Sequence, residues 1–347
     1  MRWDRRFLFA GMALLATLAP IMATPVQAAA GAVTEFALPA TSSPGAITTG
    51  PDGNLWFGDA GALGRIGTTG DLTEFAVPGG GTPGWVSGGP DGRLWFTNGI
   101  HVGAMTTSGA ATEFVLPGDA KGVRQPVFNL ARRITAGPDG ALWSSVTMFS
   151  RTCVCNIGGA LDHVTTSGDI TQLALPSGGT RRTAAQPHAI TTGPDGAIWY
   201  GDPNLGVVGR MTTQGSLTTF AVAGATGIAV GRDAALWVTG GGSVNRLTVD
   251  GSLKPYPVQA DGTNGVSLGD IVAGSDGNLW FGDYDLTTSR GSIIRISTAG
   301  DQTRFPFPTL TEIDGLAPGP DGAIWFTGTD RSNPDALRPF VGRLTTS

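Results

Sequence analysis

Seven times the chain runs through a tight turn into a tryptophan: PDGNLW (51–56), PDGRLW (90–95), PDGALW (138–143), PDGAIW (194–199), RDAALW (232–237), SDGNLW (275–280) and PDGAIW (320–325). The intervals between Trp56, Trp95, Trp143, Trp199, Trp237, Trp280 and Trp325 are 39, 48, 56, 38, 43 and 45 residues, so the unit is short and its variation lies in insertions. A unit of this size cannot bury an apolar face alone and must stack on its neighbours.

The first unit reads as four strands. GAITTG (45–50) leads into a Pro-Asp-Gly turn, where proline presets φ and glycine accepts positive φ. NLWFGD (54–59), LGRIGTT (63–69) and LTEFAVP (72–78) follow. Apolar residues alternate over short runs and no window sustains a 3.6-residue period. Four strands per unit, repeated seven times, predict an all-β chain folded as a seven-bladed β-propeller.

The two ends of the chain carry the closing argument. GRLTTS (342–347) followed by GAVTEFALP (31–39) matches GAMTTSGAATEFVLP (103–117) at eleven of fifteen positions. The C-terminus is therefore expected to supply three strands of the seventh blade and the N-terminus its fourth. Such pairing removes the open edges of the ring.

Residues 1–30 read as a signal peptide. MRWDRR is basic, FLFAGMALLATLAPIMA (7–23) is apolar, and small residues follow at 28–30. Residues 31–347 then form a single propeller domain, secreted or periplasmic, with no further segment able to span a membrane. Cleavage removes Arg2, Arg5, Arg6 and Asp4, so the formal charge falls from −5 to −7. That sign argues against a nucleic-acid partner. A monomer is expected.

The Pro-Asp-Gly turns share one face with the Thr-Thr-Gly turns. The long insertions, 117–133, 144–161 and 177–188, fall on the other, where a rigid scaffold displays its functional loops. There Lys121, Arg124, Arg132, Arg133, Arg151, Arg181 and Arg182 gather, which suits a carboxylate or other anion. Cys153 and Cys155 lie too far apart on a regular strand to bond, but a bent loop near Gly158-Gly159 permits a local disulfide. Aligned on PHAI (187–190), the inner strands begin at Gly45, Gly84, Arg132, His188, Thr226, Gly269 and Asp314, which should ring the channel mouth. A histidine beside carboxylates can move protons.

Repeats of the form GPDGALWF, GRITT and ITEFxLP, across 31–347, resemble those of the streptogramin B lyases (virginiamycin B lyase). The resemblance implies a Mg2+-dependent elimination that opens the ester of a cyclic depsipeptide, with a histidine as base. His188, in its PHAI context, matches that base. Where the family carries Glu-x-His in the next blade, this chain has Gly224 and Thr226. At the end of the second strand, where the family often has an acid, Asp59, Asp202 and Asp283 are acidic while Asn98 and Gly240 are not. On the lyase reading, Glu312 and Asp314 hold the divalent cation. Arg132, Thr226, Arg181 and Arg182 bind a small-molecule or peptide substrate on the inserted face. The competing reading is a non-catalytic exported propeller that binds a small anionic ligand, a cell-wall fragment or a protein there.

Overall fold

The computed structural model describes residues 31–118, 127–151, 153, 155–176, 184–259, 265–307, 309 and 311–346. Residues 1–30, expected from the sequence to be a signal peptide, and the basic residues Lys121, Arg124, Arg181 and Arg182 lie outside them. Among the described residues there are twenty-eight strands, arranged as seven four-stranded antiparallel sheets. They form a seven-bladed propeller, and we number each blade by its tryptophan, from Trp56 (blade one) to Trp325 (blade seven).

Each tryptophan explains why its turn recurs. All seven side chains are completely buried, and each indole Nε1 donates to the aspartate of its own turn at 2.9 to 3.3 Å. A buried indole N–H left unpaired would be costly, so the aspartate belongs to the core as much as to the turn. The indole lies on an aromatic ring of the outermost strand: Phe75, Phe114, Phe220, Tyr256 and Phe305 stack on Trp56, Trp95, Trp199, Trp237 and Trp280. Blade three has no such ring, and His163 meets Trp143 edge-on instead. The other side of each indole enters the next blade, as when Trp56 packs with Val86, Leu94 and Phe96. The turn itself needs positive φ: six blades use glycine there, while blade five holds Ala234 at φ 54°.

The ring closes as the sequence predicts. Val33–Ala37 pairs with Arg338–Leu344, in register from Val33 opposite Leu344 to Ala37 opposite Phe340. Phe36 then stacks on Trp325 at 5.5 Å, completing the seventh copy of the tryptophan–aromatic pair with a residue from the opposite end of the chain.

The insertions differ from the loops expected of them. In blade three, 127–133, 144–150 and 155–161 continue the strands Val127–Ala136, Leu142–Ser150 and Cys155–Val164 beyond the mouth. Regular pairing absorbs them because aromatic residues meet across the ladder, with Phe128 stacked on Phe149 at 5.3 Å. Blades six and seven are lengthened too, through Val266–Ala273, Leu279–Asp285 and Arg290–Ile296, and through Thr311–Pro318, Ile324–Asp330 and Arg338–Leu344. The inner three strands of the other four blades run only three to five residues. Three tall blades therefore wall the mouth.

Blade three also departs in its core. Gly64, Gly103, Gly209 and Gly342 leave room on third strands for the rings of Phe57, Phe96, Tyr200 and Phe326. The corresponding pair in blade three is Ser144 and Asp162, aligned across the ladder and both fully buried. Asp162 Oδ1 accepts from Gln172 Nε2 at 2.9 Å, and Oδ2 has no hydrogen-bond partner among the described residues. Burial outweighs the Gln172 bond and pushes this carboxyl up to about 7.

Two consequences can be measured by urea unfolding. Phe36→Ala should lower stability by about 2 kcal/mol, less than for a fully buried phenylalanine, whereas Val33→Thr on the exposed face of the same strand should change it by less than about 0.5 kcal/mol. The folded pKa of Asp162 exceeds its ordinary 3.8, so its stabilising effect is complete below that value and fades as pH rises toward 7. Asp162→Asn should remove a slope approaching 1.4 kcal/mol per pH unit, roughly, across that window. An unchanged pH profile would mean that Asp162 is ionised in the fold.

Candidate functional site

The mouth is built where each inner strand begins, opposite the residue two places after the tryptophan. In the short blades the pairing is direct: Gly45, Gly84, His188 and Thr226 donate their N–H to Gly58, Thr97, Gly201 and Thr239 at 2.8 to 2.9 Å. In the tall blades the inner strand passes the same level through a bulge, between Ala131 and Arg133, Leu268 and Ile271, and Ile313 and Gly315. A bulge carries an extra residue and re-aims side chains. Here it delivers Arg132, Asp270 and Asp314 to the channel. Hydroxyls tie the blades together at this level, since Thr97, Ser145, Thr239 and Thr327 donate to the carbonyls of Arg132, His188, Gly269 and Gly45 in the following blades.

The resulting cavity, of about 340 Å³, is lined by Gly45, Gly84, Trp85, Arg132, Arg133, His188, Asp270 and Asp314, with Pro44 and Ala46. Five of the seven positions expected to ring the mouth are therefore together. Gly269 lines the adjoining groove, and Thr226 supports the site from behind. The glycines at 45 and 84 keep the opening wide.

His188 is held by one nitrogen. Its Nδ1 lies 3.1 Å from the Thr226 carbonyl and 3.1 Å from Arg133 Nη2. A single ring nitrogen cannot donate to one and accept from the other. The carbonyl can only accept, and Arg133 already has a carboxylate partner in Asp270, so the contacts assign the proton to Nδ1 and the lone pair to Nε2. Burial, followed by the Arg133 charge, holds the imidazole pKa below its ordinary 6.5, against the Thr226 bond and Asp270. The ring is neutral at pH 7, with Nε2 left for a substrate. The carbonyl of Thr226, a residue expected to bind substrate, orients the histidine, and its hydroxyl is turned to the Thr239 and Leu268 carbonyls, each at 3.2 Å.

The two arginines have different tasks. Arg133 is buried, with its guanidinium 4.0 Å from the centre of the Trp85 ring and ion-paired to Asp270 Oδ1, a contact not aligned as a hydrogen bond. Its charge is already compensated. Arg132 gives Nε to Thr147 Oγ1 at 3.1 Å and lies over Phe149, with no carboxylate partner among the described residues. Burial lowers its pKa, yet a guanidinium stays charged in this setting. A half-buried, uncompensated cation beside a neutral imidazole is a place for an anionic group. Trp85 and Asp270 escaped the sequence reading and Arg133 entered it only as one of the basic cluster; in blades three and six the bulge shifts the alternation by one place.

Glu312 and Asp314 do stand near each other, but their surroundings do not suit magnesium. Glu312 Oε2 is engaged by Arg331. Burial and the Glu312 charge push the Asp314 carboxyl up to about 7, so it is half neutral at physiological pH, while Mg2+ asks for ionised oxygens. Two guanidinium groups share the cavity. Among the described residues no three His, Cys, Asp or Glu side chains converge on a metal position. Asp270 and Asp314 also line a second, contiguous groove of about 520 Å³ between blades six and seven, with Ser267, Tyr284, Leu286, Ile313, Leu316 and Arg331.

The other acidic positions are structural. Asp59 accepts from the Ser43 and Ala60 amides, Asp202 from those of Gln186, Asn204 and Leu205, and Asp283 from Ser292 and Arg304. They fasten the connections around the mouth. Cys153 and Cys155 are joined as a disulfide where the blade-three hairpin turns, with Cα atoms 5.2 Å apart.

The architecture is shared with solved structures. A streptogramin B lyase superposes with a TM-score of 0.73 at 25% identity, over 91% of this chain and 98% of that one. A catalytically inactive histidine-to-alanine variant of virginiamycin B lyase from Staphylococcus aureus, solved with quinupristin, also gives 0.73 at 25%, over 90% and 99%. A putative gluconolactonase is alike in fold alone, with a TM-score of 0.50 at 15% identity over 92% and 93%. No curated protein matches the sequence. The model of the virginiamycin B lyase family matches residues 26–223 and 221–345, through every blade, and the chain belongs to that family.

Proposed function

We propose that the channel mouth is the active site of a carbon–oxygen lyase. His188 Nε2 removes a proton from a carbon next to a carbonyl or carboxylate, Arg132 holds that group, and a bond from the adjacent carbon to oxygen breaks without addition of water. The observation that carries the reading is the neutral His188, fixed through Nδ1 by the Thr226 carbonyl, in one cavity with the uncompensated guanidinium of Arg132. A base must reach the proton with its lone pair free. The developing negative charge on the carbonyl oxygen needs a fixed positive partner, and Arg132 supplies it.

Magnesium would serve the same purpose as Arg132 by stabilising that charge, but the donor set is a poor fit for the ion, and no step is assigned to it. One structural relative is a streptogramin B lyase, and the virginiamycin B lyase variant was solved with quinupristin. A cyclic depsipeptide ester is therefore one substrate class for this site, within a broader set of compounds with oxygen β to a carbonyl. Export is supported by the Cys153–Cys155 disulfide, which suits an oxidising compartment.

A second reading has its own support. Gly224 and Thr226 stand where the family carries Glu-x-His, and without those groups the propeller is a binder of small anions at Arg132. The two readings separate on a panel of quinupristin, lactones and β-alkoxy acids, with Mg2+ or with chelator, followed by mass spectrometry. Elimination of at least one compound, with no atoms of water gained, is expected. His188→Gln should slow it by about 10²-fold or more. Products heavier by one water would make the protein a hydrolase, and binding without turnover would favour the second reading.

The tautomer can be checked without a substrate. Nitrogen NMR of the imidazole should find His188 protonated on Nδ1 and titrating below 6.5. A ring protonated on Nε2 at pH 7 would remove the proposed base.

A further inference from the structure

Asp314 is the group in the mouth that the lyase reading leaves without a task. It sits in the blade-seven bulge, beside Gly315, whose lack of a side chain lets the strand lie directly against the Ala46 and Ile47 backbone of blade one. Its carboxyl belongs to both the His188 cavity and the groove between blades six and seven. Among the described residues it has no ion-pair or hydrogen-bond partner, since Arg331 is taken by Glu312. The charged and titratable groups that share its two cavities are Glu312 and Arg331 on its own blade, Asp270, Asp283 and Tyr284 on blade six, and Arg132, Arg133 and His188 across the mouth.

Burial and the Glu312 charge raise this carboxyl to about 7, with Arg331 opposing, while His188 is pushed the other way. Two groups whose surroundings drive their proton affinities in opposite directions mark an acid and a base. The acid then says something about the substrate. An ester that leaves as a carboxylate, whose conjugate acid has a pKa of about 4, departs without help. An alkoxide, closer to water at about 16, does not.

We infer that Asp314 is the general acid of this site and that its substrates are β-alkoxy carboxylates, with uronide oligosaccharides the form that fills both mouth and groove. The inference rests on the lyase reading of His188 and Arg132. Arg132 takes the substrate carboxylate. His188 Nε2 accepts the proton from the carbon bearing it, and the C–H electron pair becomes a carbon–carbon double bond. The bond from the next carbon to the glycosidic oxygen breaks, and that oxygen takes the proton of Asp314. The products are an unsaturated acid and an alcohol. Return of the proton from His188 to Asp314 restores the site, so nothing is oxidised or reduced. The leaving sugar lies in the groove beside Tyr284 and Ser267, whose volume of about 520 Å³ falls within the range of small-molecule sites.

The experiment compares leaving groups. The full-length protein is given trigalacturonate, a uronide carrying a 4-nitrophenolate in place of the leaving sugar, and quinupristin, with chelator present. Ultraviolet absorbance of the conjugated acid and product mass are recorded. Trigalacturonate should yield the unsaturated acid. Asp314→Asn should slow that reaction by about 10²-fold or more but the nitrophenolate reaction only slightly, because that group leaves unaided. His188→Gln should abolish both. The falling alkaline limb of the pH–rate profile, near 7, should disappear in Asp314→Asn.

Equal losses on both leaving groups would give Asp314 a structural role and overturn the inference. Turnover of quinupristin with the uronides untouched would leave the lyase reading standing and sink the acid and its substrate class. Hydrolysis, or no turnover of any of the three, would remove both.

Discussion

The tryptophan that closes each turn is the contact from which the rest of the propeller follows. Its indole satisfies the turn aspartate, covers the outermost strand of its own blade and enters the apolar layer of the next. One residue thus fixes the turn, the width of the blade and its angle to the neighbouring blade. Repeated seven times, that arrangement leaves one place where the covalent chain cannot supply the outer ring. There Phe36 arrives from the N-terminal strand to lie on Trp325, and a linear array becomes a closed ring.

Closure matters for function because the mouth is assembled from all the blades while only some provide chemistry. Short blades contribute backbone, small residues, Trp85 and His188. The tall blades three, six and seven contribute the charges, each through an inner-strand bulge. Hydroxyls two places after the tryptophan cross to the next blade's carbonyl and hold these levels in line. Where glycine replaces the hydroxyl residue, as at Gly58 and Gly201, the neighbouring blade packs directly against the bare backbone, and a Cβ would strike Pro83 or Ala225. The rigidity of the mouth therefore derives from the same periodicity as the fold.

Periodicity also decides how much could be read in advance. The blades, the closing strand and the level of His188 were legible, since each repeats a local pattern tied to a tryptophan. Arg132 and Asp314 were found by the same alignment. Arg133 and Asp270 were not, because a bulge inserts one residue where the pattern assumes none. The extensions of blade three looked like loops, since a hairpin growing beyond the shared core has no repeat to be compared with. Asp59 and Asp202 were legible as acids but not as acceptors of backbone amides, nor Asp283 as the acceptor of the Ser292 hydroxyl and the Arg304 guanidinium, since that depends on which groups fold back over them. The proton affinities of His188, Asp162 and Asp314 arise from burial, which composition does not convey.

Blade five shows why the charges have moved to the tall blades. Gly224 adopts φ 65°, and its carbonyl lies so close to Gly240 that a side chain at 240 would collide with it. The connection has settled onto the end of the second strand, leaving no room there for a carboxylate. What this blade still presents to the mouth is a backbone group, the Thr226 carbonyl, and that group orients the imidazole of the blade before it. A base with its proton fixed by a carbonyl needs no second histidine to hold it. The charge-stabilising part can then be a guanidinium from the bulge in blade three. On the proposed lyase reading, charge is stabilised by the Arg132 guanidinium, a hydrogen-bonding cation in place of a Lewis acid, and such a site favours substrates whose own carboxylate meets that cation and whose leaving oxygen can be protonated from across the mouth.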